Sequence, residues 1–316
     1  MAWFPTDPHS VTAEWLSEVL RADVRSCHLE QIGIGVGILG RVYRVHMRGT
    51  GVPDSVVVKL PTADERGVAL CEDLDFYLCE VSFYEQVGLA NPLRPARPYF
   101  TAFDPSTHEF ILVLEDLGRL RVVDQIVGCS VGDAEVVVDA IAGHHAYWWD
   151  SERFASMSWL KSYNTPPYPA VVAANFEASW PVVLDRFGEN LSPAIRAFGK
   201  QFPTLTGWFG CEFTRPPCTF LYFLSQSLTT ESRRACEDEL ITRYAERLRE
   251  CAIDYNATQL DHDYRLTTAW CFVYPVIGLG RFDVVNDRQD ELLRVMLNGA
   301  ADAIEDHDAL ALIPDT

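Results

Sequence analysis

The residues best suited to chemistry lie in the first third of the chain. Gly33, Gly35, Gly37 and Gly40 stand within "IGIGVGILGRVYRV", a spacing that permits a hairpin whose backbone N–H groups can approach a phosphate closely. No G-K-[S/T] follows, so this is not a Walker A loop. A strand rather than a helix comes next, which argues against a dinucleotide fingerprint. A plain glycine-rich turn is the simpler alternative. Lys59 sits inside "VVVKL", where an ammonium is costly to bury without a partner; an edge-strand lysine facing water is the alternative there. Glu80, in "DLDFYLCEVSFYEQV", shares a helical face with Phe76, Phe83 and Val87. A carboxylate on such a face needs a cation, and Lys59 is the one upstream that also lacks a partner.

Elements must hold these residues in place. "SVTAEWLSEVLRA" predicts a short helix capped by Thr12, with Glu14 in its first turn and Trp15, Leu16, Val19 and Leu20 on one face. After the glycines, Tyr43, Val45 and Met47 alternate with Arg44, His46 and Arg48, which is strand period. "DSVVVKL" predicts a second strand, Asp64 to Val87 a helical region, and "EFILVLEDL" a third strand ending in two acids before Gly118. Beyond that glycine the pattern is helical: Asp133 to Trp149, Pro169 to Asp185, a helix opened by Ser192 and Pro193, then Glu231 to Cys251, Arg265 to Ile277 and Arg288 to Asp306. Strands first and helices afterwards give an α+β fold class. We divide it into an N-terminal lobe over 1–117 and a helical C-terminal lobe over 118–316.

Composition narrows the classes. The 316 residues carry a formal charge of −19, which argues against nucleic acid, because phosphate backbones need Lys/Arg stripes. The longest apolar run, "AWCFVYPVIGLG", contains Pro275 and is too short to span a bilayer. The start, "MAWFPTDPHS", lacks a secretory pattern, and nine cysteines without a C-x-x-C pair suit reduced thiols. A cytoplasmic protein without membrane or nucleic-acid partners is the expectation.

The order of parts decides the reading of the front half. A glycine hairpin, a strand lysine, a helix glutamate and a strand ending in "LEDLG" follow one another as in a kinase-type nucleotide lobe. The chain resembles the kinase-like small-molecule phosphotransferases: aminoglycoside phosphotransferases, choline kinases and ecdysteroid-kinase-like proteins. The likeness is carried by "IGIGVGILGRVYRV", "VVVKLP", "CEVSFYEQV", "ILVLEDL", "DAIAGHHAYWW" with His145 at the histidine position, and "YFLSQSLTTESRRACEDELITRYAERL". The resemblance implies a protein-kinase-like two-lobe fold with ATP as ligand. It places Gly33 to Gly40 over the phosphates, makes Lys59 and Glu80 an ion pair, and brings backbone near Glu115 to Leu117 to the adenine. It also implies a small-molecule acceptor, cationic or hydroxyl-bearing, shaped by helices within 161–210.

One part of that pattern is missing. Relatives carry an H-G-D-x-x-x-x-N loop and a later aspartate, whose Asn and Asp hold Mg2+. Here "PCTFL" matches the strand leading in and "YFLSQSL" the helix leading out, so the catalytic segment is absent between Leu221 and Tyr222. Asp261, His262 and Asp263 have no Asn at metal-ligand spacing, Asp283 and Asp287 come too late, in the terminal helical region, and the resemblance packs the helix of His144, His145 and Asp150 behind the catalytic loop; each also reads as a solvated acid, a cap or a core histidine. No catalytic or metal residue is therefore assigned. Four readings remain: a phosphotransferase fold without activity, a nucleotide- or ligand-binding pseudokinase, an internally deleted form of an active kinase, and an enzyme using unfamiliar residues. Loss of the segment is expected to expose apolar surface around Thr219 to Leu221 and to favour self-association. Trp148, Trp149, Trp159, Trp180 and Trp208 are read either as core or as a cation-binding wall.

Overall fold

A computed structural model describes residues 3–34, 39–212, 218–281, 284 and 286–314. The chain divides into two compact units, Met1–Arg121 and Val122–Thr316. The first is rich in sheet and the second is mostly helical, which makes the protein α+β.

The first unit is built on a five-stranded antiparallel sheet in the order β1-β2-β3-β5-β4. Its strands are β1 (Asp23–Ile32), β2 (Gly40–Thr50), β3 (Ser55–Pro61), β4 (Pro98–Asp104) and β5 (Glu109–Glu115). β1 and β4 escaped the sequence reading: the polar "DVRSCHLEQI" buries only Val24, and all but one residue of β4 is half-exposed. Helix α1 (Ala13–Leu20) begins where Thr12 accepts a hydrogen bond from the Trp15 amide at 3.2 Å. The Asp64–Val87 region forms two helices, α2 (Glu65–Asp73) and α3 (Phe76–Gln86), because Asp75 adopts a left-handed conformation (φ 54°) between them. Asp64 caps the first by accepting from the Gly67 amide at 2.7 Å.

Period-2 alternation gives the sheet two different faces. On one, Tyr43, Val45, Val56, Val58, Leu60, Ile111 and Val113 bury against Phe4, Val11 and Leu16. On the other, Phe110, Leu112 and Leu114 pack on Cys71, Tyr77 and Val81, with Val57 half-buried beside them. Ser55, Val57 and Lys59 alternate with the buried valines and are each part-exposed on this second face.

The second unit contains α4 (Val131–Trp148), α5 (Tyr168–Phe187), α6 (Pro193–Glu212), α7 (Cys218–Ser227), α8 (Thr230–Glu250), α9 (Ala257–Cys271), α10 (Val273–Arg281) and α11 (Asp287–Asp306). The expected helix over Arg265 to Ile277 is two helices, broken at Phe272. The strand expected at "PCTFL" is a correction. Cys218–Ser227 is one helix, and Phe220, Leu221 and Leu224 are its buried face, at helical rather than strand spacing. Phe220 stacks on Tyr244 with centroids 4.2 Å apart and planes 7° apart. The expectation of exposed apolar surface at this junction fails for the same reason: Phe220 is 0% and Leu221 1% exposed, and only Thr219 of that stretch reaches solvent.

Candidate functional site

On the part-exposed face of the first unit, Lys59 Nζ donates to both oxygens of Glu80, each at 2.7 Å. The strand that carries Lys59 is the middle one of the sheet, flanked by β2 and β5, so the edge-strand alternative does not hold. Val42 and Leu112 are its register partners. Glu80 lies beside the buried stripe of α3 rather than on it: Tyr77, Val81 and Ser82 form that stripe, while Phe76 and Phe83 are half-exposed. The expected face was misjudged, yet the expected pair forms. It remains accessible, with the lysine and glutamate side chains 26% and 31% exposed.

Three neighbours fix the pair's surroundings. Tyr77, stacked on Phe110 at 4.3 Å, accepts a hydrogen bond from the Thr62 amide at 3.1 Å and so ties α3 to the end of β3. Burial pushes the Cys71 thiol up to about 11, so it stays protonated and inert. Gly40 lies against the lysine stem: a Cβ there would stand 2.9 Å from Lys59 Cε and 3.2 Å from the Leu60 carbonyl oxygen.

The glycine-rich segment lies in sequence between β1 and β2, whose last pair in register is Ile32 with Val42. Gly33, just after β1, has φ 69°, a conformation suited to glycine. Gly35 and Gly37 lie outside the described residues.

At the far end of β3, Glu115 pairs with Val56 in register, and its amide donates to the Arg97 carbonyl at 2.8 Å. Leu117 is half-exposed, and its carbonyl accepts from the Leu120 amide at 2.8 Å. Between them stands a residue the sequence reading did not select. Asp116 accepts from Arg44 Nε at 2.8 Å, Ser55 Oγ at 2.6 Å and the Gly118 amide at 2.8 Å. Burial raises its pKa, but the hydrogen bonds from Ser55, Arg44 and Gly118 outweigh burial and hold the carboxyl below its ordinary range. The signal was present in sequence. Arg44 falls on the non-core side of the β2 alternation, and an acid ending an apolar strand requires a donor.

The candidates in the second unit are divided between core and surface positions. His145 is buried, with Nδ1 2.7 Å from the Tyr244 hydroxyl. Asp263 is buried and accepts from Tyr255 and, at 2.7 Å, from Gln259. Asp261 is an exposed acid 3.9 Å from Arg265, Asp287 stands in the first turn of α11, and Asp150 has a left-handed backbone. Asp283 lies outside the described residues. Trp148, Trp159 and Trp180 are buried, with Trp180 packed on Phe176 and Phe272, so they offer little face to a ligand.

Among the described residues, no group of three or more His, Cys, Asp or Glu side chains could hold a metal ion. The carboxylates on the Lys59 face are already committed, Glu80 to Lys59 and Asp116 to Arg44 and Ser55. No helix among the described residues is long and apolar enough to cross a membrane. Comparison with family models, curated proteins and solved structures finds no match for this chain. What the site can do therefore follows from its geometry alone.

Proposed function

We propose that the first unit binds the phosphates of a nucleoside triphosphate such as ATP, and that the chain is a kinase-like protein without phosphoryl-transfer activity, a pseudokinase. One observation carries this reading: a strand lysine held on both oxygens of a helix glutamate, on the part-exposed face of a sheet whose first hairpin is glycine-rich. That is the arrangement with which kinase-type lobes hold α/β-phosphates. Glu80 holds the ammonium in place through both its oxygens, and the residual exposure leaves room for a phosphate oxygen to join it. Val57, half-exposed between Ser55 and Lys59, supplies an apolar patch that suits a base.

Inactivity follows from chemistry that the chain cannot supply by the family's route. A transferring phosphoryl group needs its developing charge neutralised and its acceptor hydroxyl deprotonated. By the resemblance, the loop that would do both is missing between Leu221 and Tyr222, which are consecutive residues of one helix here. That continuity favours a chain that folds around the gap, whether the gap is natural or a deletion from an active kinase. The acceptor, if one binds, is a small hydroxyl-bearing or cationic molecule.

The test is equilibrium binding of ATP to the whole chain and to Lys59→Ala. A loss of tenfold or more in the variant, about 1.4 kcal/mol, supports the reading, and equal affinities contradict it. Gly40→Ala should weaken ATP by about fivefold, because the added methyl displaces the lysine stem. Calorimetric titration checks this, and an unchanged Kd would mean that the stem can shift freely.

A further inference from the structure

On the assumption that the first unit binds nucleotide as proposed, we infer that Asp116 is the positioning residue for the nucleoside end, clamping the 115–118 segment to the same strand that carries Lys59. Four observations combine. Asp116 is only 10% exposed at its side chain, and it draws donors from β2 (Arg44), from β3 (Ser55) and from its own turn (the Gly118 amide). The segment after β5 is thereby tied to two strands at once.

The clamp and the ion pair share one surface. Ser55, Val57 and Lys59 alternate onto the same face of β3, and four residues of strand separate the first from the last by about 13 Å. That is the reach of a nucleoside with its first phosphates. A ligand whose phosphates meet Lys59 and whose sugar and base lie along Val57 would end at the segment Asp116 holds.

Gly118 is cut to this arrangement. A Cβ there would stand 2.3 Å from an Arg44 guanidinium nitrogen and 2.9 Å from Asp116 Oδ1. The turn thus admits only the smallest residue without moving the clamp. Arg44 has a further part: at 27% exposure its guanidinium is held in place by Asp116 instead of swinging free over the face.

A positioning role predicts a selective loss. The experiment compares binding of ATP with binding of inorganic tripolyphosphate, which has the phosphates and no nucleoside. Asp116→Ala should weaken ATP about tenfold and leave tripolyphosphate within twofold, whereas Lys59→Ala should weaken both. Gly118→Ala, a milder change, should show the same selective pattern at about threefold. It also keeps the test alive should Asp116→Ala not fold, as judged by its thermal melt.

Parallel loss of both ligands in folded Asp116→Ala would make the clamp merely structural and overturn the inference. So would equal binding of ATP and tripolyphosphate by the unaltered chain, which would leave the phosphate role of Lys59 standing without a nucleoside contact. If the unaltered chain bound neither ligand, the nucleotide reading itself would fall, and the inference with it.

Discussion

Replacing Phe220 by alanine is expected to cost the second unit about 3–5 kcal/mol, the range for a fully buried phenylalanine. Its ring is 0% exposed, stacks on Tyr244 at 4.2 Å and meets Tyr264 edge-on. Truncation removes the transfer free energy and also leaves a cavity among Leu221, Leu224, Leu240 and Tyr244, which pack in the same core. Thr219→Ala, one position earlier on the exposed side of the helix, should change stability by less than about 0.5 kcal/mol. Urea unfolding of both variants makes the comparison. Similar midpoints for the two would mean that this helix is not part of the core.

Acid should destabilise the second unit in a window set by His145. Burial, with a smaller contribution from its neighbour His144, lowers this imidazole to about 4, and burial lowers His144 as well. The sign follows from proton counting. Between pH 6.5 and 4 the unfolded chain binds a proton at His145 that the folded chain does not. Stability is therefore complete above about pH 6.5 and falls as the pH drops toward 4, by about 3 kcal/mol at 1.36 kcal/mol per unit. Tyr244, whose phenol burial pushes upward, keeps its proton throughout and remains the partner at 2.7 Å.

The carboxylates act in a different window. Burial raises Glu237 and Asp306, but their hydrogen bonds outweigh it and hold both below their ordinary values: His307 and Tyr264 act on Glu237, Arg234 and Arg233 on Asp306. Their contribution disappears only as the pH falls through those depressed values, at the acid end. Unfolding free energies measured from pH 7 to pH 4 should slope for the unaltered chain and slope less in His145→Gln, where His144 still contributes. A profile as steep in the variant would assign the window to other groups.

The sequence made the site more legible than the region around Leu221 and Tyr222. Lys59 and Glu80 could be paired because each lacked a partner and the segments between them read correctly as strand and helix. The face of α3 could not be read, because Phe76 and Phe83 are as apolar in sequence as Tyr77 and Val81, and only packing against Phe110 and Leu112 decides which pair is buried. β1 was invisible for a related reason: its residues gain their strand geometry from β2, to which they pair from Asp23 to Ile32, and not from an apolar face of their own. At the junction, "PCTFL" was read by its resemblance to a strand. The spacing of Phe220, Leu221, Leu224 and Leu228 already held a helical stripe, and it continued straight across the point where residues were expected.

Asp116 shows the opposite failure. The motif "LEDL" drew attention to Glu115 and Leu117 for their backbone, while the carboxylate with three donors lay between them. Its partners come from positions 44 and 55, and separations of 72 and 61 residues are closed only by the order of strands in the sheet.

We propose that the first unit grips nucleotide phosphate through Lys59 without a metal. The most direct measurement is the Kd of ATP for the whole protein with magnesium present and with magnesium removed by chelation. The account predicts affinities within about twofold of each other, because Glu80 and Asp116 are already occupied by protein donors and no group of three ligating side chains stands among the described residues. Binding that appears only with magnesium would contradict it, and would place metal ligands on residues not assigned to that role.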